Sequence, residues 1–162
     1  DLNHEFGEIS DQEWQDTFKF LEYLISKCEK IIAVKGTHDK ILEPILRRFP
    51  SVKFVDNYIV NDICFTHGDK FDEVVASLDK KVKTIVRGHW HPAITLVSGA
   101  KKETYKCFLV GKLNGKEVII LPSFLPIVEG TDVREREGLE NFKVYIVGDG
   151  KVYKFGKIKD LG

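Results

Sequence analysis

The chain has 162 residues, of which 43% are hydrophobic and 31% are charged, and its 25 basic residues balance its 25 acidic ones. This length supports one domain with a core and is too short for two ordinary domains, so we expect a single domain over residues 1–162. A net charge of zero excludes a global attraction to nucleic acid or to an anionic membrane, and no apolar run reaches the roughly 20 residues of a membrane helix.

Helical and strand patterns alternate in the first half of the sequence. Ser10 and Glu13 have the spacing of a capping box, and apolar residues follow at intervals of three and four from Trp14 to Cys28, which predicts a helix. The elements expected next, in chain order, are a strand at Ile31–Val34, a helix at Leu42–Arg48, one strand over Val52–Val60, a strand at Ile63–Thr66, a helix at Phe71–Leu78 and a strand at Thr84–Arg87.

The second half is dominated by two predicted β-hairpins. Their turns are Asn114-Gly115 and Gly148-Asp149-Gly150, which are typical hairpin connections. The flanking strands are expected at Tyr105–Val110 and Glu117–Leu121, and at Phe142–Val147 and Val152–Phe155. Alternating helices and strands followed by hairpins predict an α/β fold with a mixed or double sheet.

The cysteines and the overall amino-acid usage bear on the setting of the protein. Three cysteines, none in a C-x-x-C pair, are too few for a disulfide framework, so we expect reduced thiols and a cytoplasmic protein. Glutamine is scarce while Lys, Glu and Ile are plentiful, a composition typical of thermophile proteins. The chain contains no Met and begins at Asp1, which indicates that it does not start at an initiator residue.

Four of the five histidines follow short apolar strands: His38, His67, His89 and His91. The carboxyl ends of strands are where ligand sites form in α/β sheets. Imidazole is a common ligand for divalent metals, and carboxylates complete such sites; Asp1, Asp39 and Asp69 lie in the same segments. The pattern therefore predicts a metal site, and the alternative is a set of unrelated surface or capping histidines.

Gly88-His89-Trp90-His91 is the most specific of these segments. In an extended stretch alternate side chains point the same way, so we expect His89 and His91 to face one cluster, with Gly88 allowing close approach of the backbone. A single H-x-H sequence is weak evidence, and its value comes from the other segments.

Four segments together resemble, in order, the motifs of calcineurin-like metallophosphoesterases: Asp1-Leu2-Asn3-His4, Gly36-Thr37-His38-Asp39, Thr66-His67-Gly68 and Gly88-His89-Trp90-His91. Within that superfamily the chain looks most similar to archaeal phosphoesterases related to the nuclease subunit of the break-repair complex. The resemblance implies a four-layer α-β-β-α sandwich whose N-terminal strand is missing here. It also implies a metal-dependent phosphoester hydrolase, of the phosphodiesterase or nuclease-like kind.

The resemblance implies a role for each matching residue. Asp1 bridges two divalent metals, His91 binds the first metal, and His67 and His89 bind the second, together with Thr37 or with a water molecule in its place. His38 protonates the leaving group or steadies the phosphoryl group in the transition state, and Asp39 orients His38. The expected cofactor is a pair of divalent ions, Mn²⁺ in the first instance, with Fe, Zn and Ni as alternatives. Two such ions clamp the attacking and leaving oxygens and generate hydroxide at neutral pH. The expected partner is a phosphoester substrate, with nucleic acid left open, nucleotides and phosphomonoesters as alternatives, and no membrane.

The sequence departs from the family pattern in two places, and both bear on the roles assigned to its residues. The first family motif, D-x-H, would lie upstream of Asp1, so we expect the 162-residue chain alone to bind at most one metal well and to be inactive. Thr37 stands where the family has Asn, and a hydroxyl is a weaker ligand than an amide carbonyl.

Other polar and aromatic residues have a functional and a structural interpretation. His4 lines a substrate groove or caps the approach to the first helix, and Trp90 stacks on a substrate ring or covers the metals. A basic run precedes the G-H-x-H segment and either holds a phosphodiester backbone or forms a solvated face: Lys80, Lys81, Lys83 and Arg87.

A non-catalytic scaffold on the same fold, like the retromer subunit that resembles these enzymes, is the alternative function. A scaffold needs no proton donor, so the presence of His38 with Asp39 favours an enzyme. A structural zinc site is disfavoured because closed zinc sites prefer Cys ligands, which these segments lack.

Overall fold

The computed structural model describes residues 10–39, 42–125, 128–148 and 150–161. Asp1 and His4 lie outside the described residues. The described chain forms helices α1 Asp11–Lys27, α2 Leu42–Leu46 and α3 Phe71–Ser77, and strands β1 Ile31–Val34, β2 Val52–Val55, β3 Asn57–Val60, β4 Ile63–Thr66, β5 Thr84–Arg87, β6 Pro92–Ser98, β7 Lys101–Leu113, β8 Lys116–Ile120, β9 Thr131–Asp132, β10 Lys143–Gly148 and β11 Lys151–Lys157. Short 3-10 helices span Val133–Glu135 and Ile158–Asp160.

Nine strands form one mixed sheet with the order β11-β10-β7-β8-β5-β4-β3, and β6 pairs with both β7 and β9. The neighbours β4, β5 and β8 are parallel, and their register aligns Thr66 with Arg87 and Arg87 with Ile120. The carboxyl ends of these three strands therefore meet at one edge of the sheet, the place where α/β folds build ligand sites. The predicted α/β class with a mixed sheet is confirmed.

A smaller layer consists of α1, α2 and the parallel pair β1–β2. The predicted capping box starts α1: the Ser10 side chain accepts from the Glu13 N–H, and the Glu13 side chain accepts from the Ser10 N–H. The buried side of this helix carries Leu21, which packs with residues of α2 and β2. This apolar cluster consists of Leu21, Leu42, Ile45, Leu46, Phe49 and Val52.

The main hydrophobic core lies against the large sheet. Period-two burial on its strands, such as Val144 and Ile146 of β10, sends alternate side chains into this core. The core also receives Phe71 and Val74 from α3 and Phe142 from the segment before β10. None of the helices in the described ranges is long and apolar enough to cross a membrane.

Two strand predictions differ from the structure. The single strand expected over Val52–Val60 is interrupted at the exposed Asp56, so that β2 pairs with β1 and β3 joins the large sheet. Strand β6 was not predicted because it begins at Pro92, a residue that is tolerated at the first position of a strand. Its pairing with β7 extends β7 back to Lys101.

Candidate metal centre

His67 and His89 meet at the common edge of the parallel strands. His67 follows β4 directly, and His89 lies two residues after β5. The His67 Nε2 atom is 3.1 Å from the His89 Nδ1 atom, and the two ring planes are inclined at 67°, with centroids 5.0 Å apart. A backbone hydrogen bond of 2.9 Å from the Gly88 N–H to the His67 carbonyl ties the two loops together.

The surroundings of both imidazoles favour the neutral form over the charged one. Burial lowers the pKa of His67 to about 4, because the side chain is only 8% exposed and its charged form would lose its hydration. Protonation of His89 would lower the pKa of His67 further. Burial also lowers the pKa of His89, and the charges of Arg87 and Arg136 act in the same direction. Neutral imidazole is the form that binds metal ions.

The spacing of the two nitrogens fits two ligands of one ion. Nitrogens about 2.0–2.1 Å from a shared metal, at tetrahedral or octahedral angles, lie roughly 3 Å apart. The 3.1 Å separation of His67 Nε2 and His89 Nδ1 matches this value. Within the described ranges, no three His, Cys, Asp or Glu side chains form a group that could hold a metal ion. The pair is therefore the part of the predicted ligand set that the structure brings together.

The Gly36–Asp39 loop follows β1 and faces the same region. Asp39 is 2% exposed, and its Oδ2 atom accepts a hydrogen bond of 2.9 Å from the Gly36 N–H, which closes the loop. His38 is half-buried, and its charge helps to lower the pKa of His89, so the two side chains are electrostatic neighbours. Thr37 is exposed and lines a cleft of about 690 Å³.

The Gly88–His91 segment is a turn, and the prediction of an extended stretch was wrong. His89 and His91 both have left-handed backbone conformations, with φ values of 70° and 45°. The Trp90 N–H donates to the Gly88 carbonyl at 2.9 Å. The His91 carbonyl accepts from the Thr131 N–H at 2.9 Å, so this turn is also anchored to β9.

Arg87 and Asp69 lie beside the histidine pair; the sequence analysis noted both residues but assigned neither of them a specific role in the site. Arg87 is only 1% exposed, so it does not belong to a solvated basic face. Asp69 is exposed and raises the pKa of both His67 and His89, opposing the effect of burial. Arg87, Asp69 and His89 line a second cleft of about 470 Å³ together with Trp90. The position of Asp69 in Thr66-His67-Gly68-Asp69, directly after a strand, was the available signal.

No protein-family model matches the sequence. No curated protein matches it either. The crystal structure of nuclease MPE from Pseudomonas putida is similar, with a TM-score of 0.55 and 14% sequence identity over 87% of this chain and 79% of the nuclease. Crystal structures of Vps29 from Entamoeba histolytica, one of them complexed with Zn²⁺, have TM-scores of 0.33 and 0.34 at 14% identity, over 93% of this chain and 90% of Vps29.

The likeness to nuclease MPE concerns the fold, and the predicted metallophosphoesterase-type fold is confirmed at that level. A fold of this kind does not by itself define a reaction, because unrelated functions share folds. Function has to be argued from the site.

Proposed function

We propose that the protein is a metal-dependent phosphoester hydrolase that acts on phosphodiesters through a dinuclear metal centre. The observation that carries the proposal is the pair of imidazoles whose His67 Nε2 and His89 Nδ1 atoms lie 3.1 Å apart at the carboxyl edge of parallel strands. His67 is buried and His89 is exposed beside it, so an ion bound by both nitrogens would lie at the mouth of the site, within reach of a substrate.

The remaining ligands are proposed from the family resemblance. Asp1 would bridge the two ions, Thr37 would complete the shell of the ion held by His67 and His89, and His91 would bind the other ion. A divalent ion bound there supplies a Lewis acid for the phosphoryl oxygens and a hydroxide at neutral pH. Mn²⁺ suits this mixture of imidazole, hydroxyl and carboxylate groups.

His38 is proposed as the proton donor to the leaving group. It lies on a loop that the buried Asp39 carboxylate closes onto the Gly36 N–H, so the backbone next to His38 is fixed. A fixed donor is what general acid catalysis requires, because the proton must be within hydrogen-bond reach of the leaving oxygen.

The substrate is proposed to be a phosphodiester, nucleic acid included. The clefts beside the site carry Lys35 and Lys70, which can contact phosphate oxygens, and Trp90, which offers an aromatic surface near the site. The fold likeness to a nuclease agrees with this substrate class as an analogy.

Metal titration of matched histidine variants tests the proposal. Isothermal titration with Mn²⁺ should show binding to the wild-type protein, and His67→Ala and His89→Ala should weaken the same binding event. His91→Ala is the matched control, since it removes an imidazole from the same region and should leave that event in place. Equal affinity in all four proteins would contradict the metal role of the pair.

A chromogenic phosphodiester, bis(p-nitrophenyl) phosphate, then tests the reaction in the presence of Mn²⁺. Turnover that disappears in His67→Ala supports the hydrolase. Metal binding by the wild type without turnover, in a preparation that includes the segment expected upstream of Asp1, would favour the scaffold alternative instead.

A further inference from the structure

Arg87 is a buried cation beside the candidate metal centre. It ends β5, is 1% exposed, and its guanidinium lies 4.6 Å from the Phe71 ring centre and 4.0 Å from the Trp90 ring centre. Its Nη2 atom donates to the Gly68 carbonyl at 2.5 Å, while its Nε and Nη1 atoms have no hydrogen-bond partner among the described residues. The faces of the two rings take the place of an acceptor, as in other stacked arginines.

The contacts of Arg87 join the two loops that carry the histidine pair. Gly68 directly follows His67, and Trp90 directly follows His89. Gly68 has a φ of 107°, and a Cβ atom at this position would lie 2.5 Å from the Arg87 Nε atom. The backbone of the first loop is therefore fitted against the Arg87 side chain, and a bulkier residue than glycine has no room there.

The second loop is strained and depends on its Trp90 anchor. His89 and His91 occupy the left-handed region, with φ values of 70° and 45°, which side chains with a Cβ adopt rarely. Between them, Trp90 packs on Arg87 and also on the Arg136 guanidinium, 5.0 Å from its ring centre. A strained turn of this kind is maintained only when contacts with the surrounding structure hold it in place.

We propose that Arg87 is the positioning residue that holds His67 and His89 in register for a shared metal ion, an inference that rests on the proposed function. Stability alone does not account for an arginine here: burial lowers the pKa of Arg87 to about 10 even though the charges of Asp72 and Asp69 act in the opposite direction, and an apolar side chain of similar length would avoid that cost. Arg87 provides what an apolar residue cannot: a donor for the Gly68 carbonyl and a planar cation between two rings.

Three variants of the protein test this role. Arg87→Met removes the donor and the charge at similar volume, and Arg87→Lys keeps the charge and a donor but loses the planar stack. Arg136→Met is the matched control, because it removes the other guanidinium from Trp90 without touching Gly68. Each variant is measured by urea unfolding, by Mn²⁺ titration, and by long-range ¹H–¹⁵N NMR of the imidazoles in the metal-free protein.

Arg87→Met is expected to fold and to bind Mn²⁺ about 10–100-fold more weakly, the range for residues that orient metal ligands. Its metal-free NMR spectrum should lose the signature of the His67 Nε2–His89 Nδ1 hydrogen bond. Arg87→Lys should recover part of the affinity, and Arg136→Met should stay close to wild type.

Folded Arg87→Met with wild-type affinity and unchanged imidazole signals would overturn the proposal. If Arg87→Met does not fold, folded Arg87→Lys with wild-type affinity and signals overturns it equally. If the wild-type protein binds no Mn²⁺, the proposed function fails, but the imidazole signals of the metal-free variants still decide whether Arg87 positions the pair.

Discussion

The role proposed for His38, proton donation, differs from the metal binding proposed for His67 and His89. The His38 side chain is half-buried on the loop after β1, and its charge helps to lower the pKa of His89, although His38 is not a member of the histidine pair. We expect His38→Ala to lower turnover by about 10²–10⁴-fold, the usual contribution of a general acid, while Mn²⁺ affinity changes little. Steady-state kinetics and Mn²⁺ titration of the same preparation, containing the segment expected upstream of Asp1, measure the two effects.

The leaving group provides the control for that prediction. A nitrophenolate leaves without protonation, so His38→Ala should be less impaired on bis(p-nitrophenyl) phosphate than on an alkyl phosphodiester. Full activity of the variant on the alkyl ester would be incompatible with the acid role.

Asp132 makes the stability of the folded protein depend on pH. Its carboxylate accepts hydrogen bonds from the Arg134 side chain at 2.7 and 2.9 Å and from the Thr95 N–H at 2.9 Å. The Arg134 hydrogen bonds, followed by those from backbone N–H groups, hold the pKa of Asp132 well below its usual range. Because the folded-state pKa is depressed, the stabilisation is present above the unfolded value of about 3.9 and is lost as the pH falls towards the folded value.

Asp132→Asn should therefore lower the free energy of unfolding at pH 7 by about 1–3 kcal/mol, the range for hydrogen bonds to a charged group. The difference from wild type should shrink below about pH 4, as the wild-type carboxylate loses its advantage. Urea unfolding at pH 7, 5 and 3 measures this. Glu103→Gln, which alters the exposed pair with Lys101, is the control and should change stability little. A difference between Asp132→Asn and wild type that is independent of pH would refute the assignment.

Sequence spacing correctly predicted that His67 and His89 lie close together, for a simple reason. Short apolar strands were recognisable, and parallel strands bring their carboxyl ends to one edge, so His67 and His89 could be expected near each other. The left-handed turn around Trp90 was not predictable, since no local pattern specifies positive φ at His89. The burial of Arg87 was hidden too, because it depends on Phe71 from α3 packing across the strand end. The roles of these residues in metal binding and catalysis stay predictions.

At the scale of elements, local turn chemistry was the most dependable signal. Asn114-Gly115 was predicted as a hairpin turn and connects β7 to β8, with φ values of 50° and 76°. Two positive φ values are the signature of the turn that suits twisted antiparallel strands. By contrast, the break at Asp56 depends on which sheet each half of the segment joins, and that is decided by tertiary packing.

Gly115→Ala tests the turn. A Cβ atom at Gly115 meets nothing within 4 Å, so the cost is conformational and should be about 1–2 kcal/mol of unfolding free energy. Gly148→Ala is the matched control, because Gly148 lies at the end of β10 without a positive φ and a Cβ there makes only an ordinary 3.8 Å contact with Tyr153. Thermal unfolding of both variants gives the comparison, and equal destabilisation would mean that the backbone of Gly115 is not the cause.

At the scale of the whole molecule, the residues of the candidate site come from two layers, each of which has its own apolar cluster. His38 follows β1 in the layer of α1, α2 and β2, whereas His67 and His89 follow strands of the large sheet. The layer that carries His38 has a two-stranded sheet and the smaller cluster. Two-stranded sheets have little stability of their own, so this layer depends on its helices and on the large sheet. Opening of the smaller layer would separate the proposed proton donor from the proposed metal ligands.

The two tryptophans of the chain report on these clusters separately, since Trp14 packs against the smaller cluster and Trp90 against the larger one. We expect Trp90→Phe, in which only Trp14 fluoresces, to show its transition at lower urea concentration than Trp14→Phe, because regions with a small core open first. Far-ultraviolet circular dichroism of each variant measures the global transition and corrects for any destabilisation caused by the substitution. At urea concentrations between the two midpoints, the protein should retain Mn²⁺ binding by His67 and His89 and lose the contribution of His38 to turnover. Coincident fluorescence and dichroism transitions in both variants would show instead that the two layers unfold as one cooperative unit.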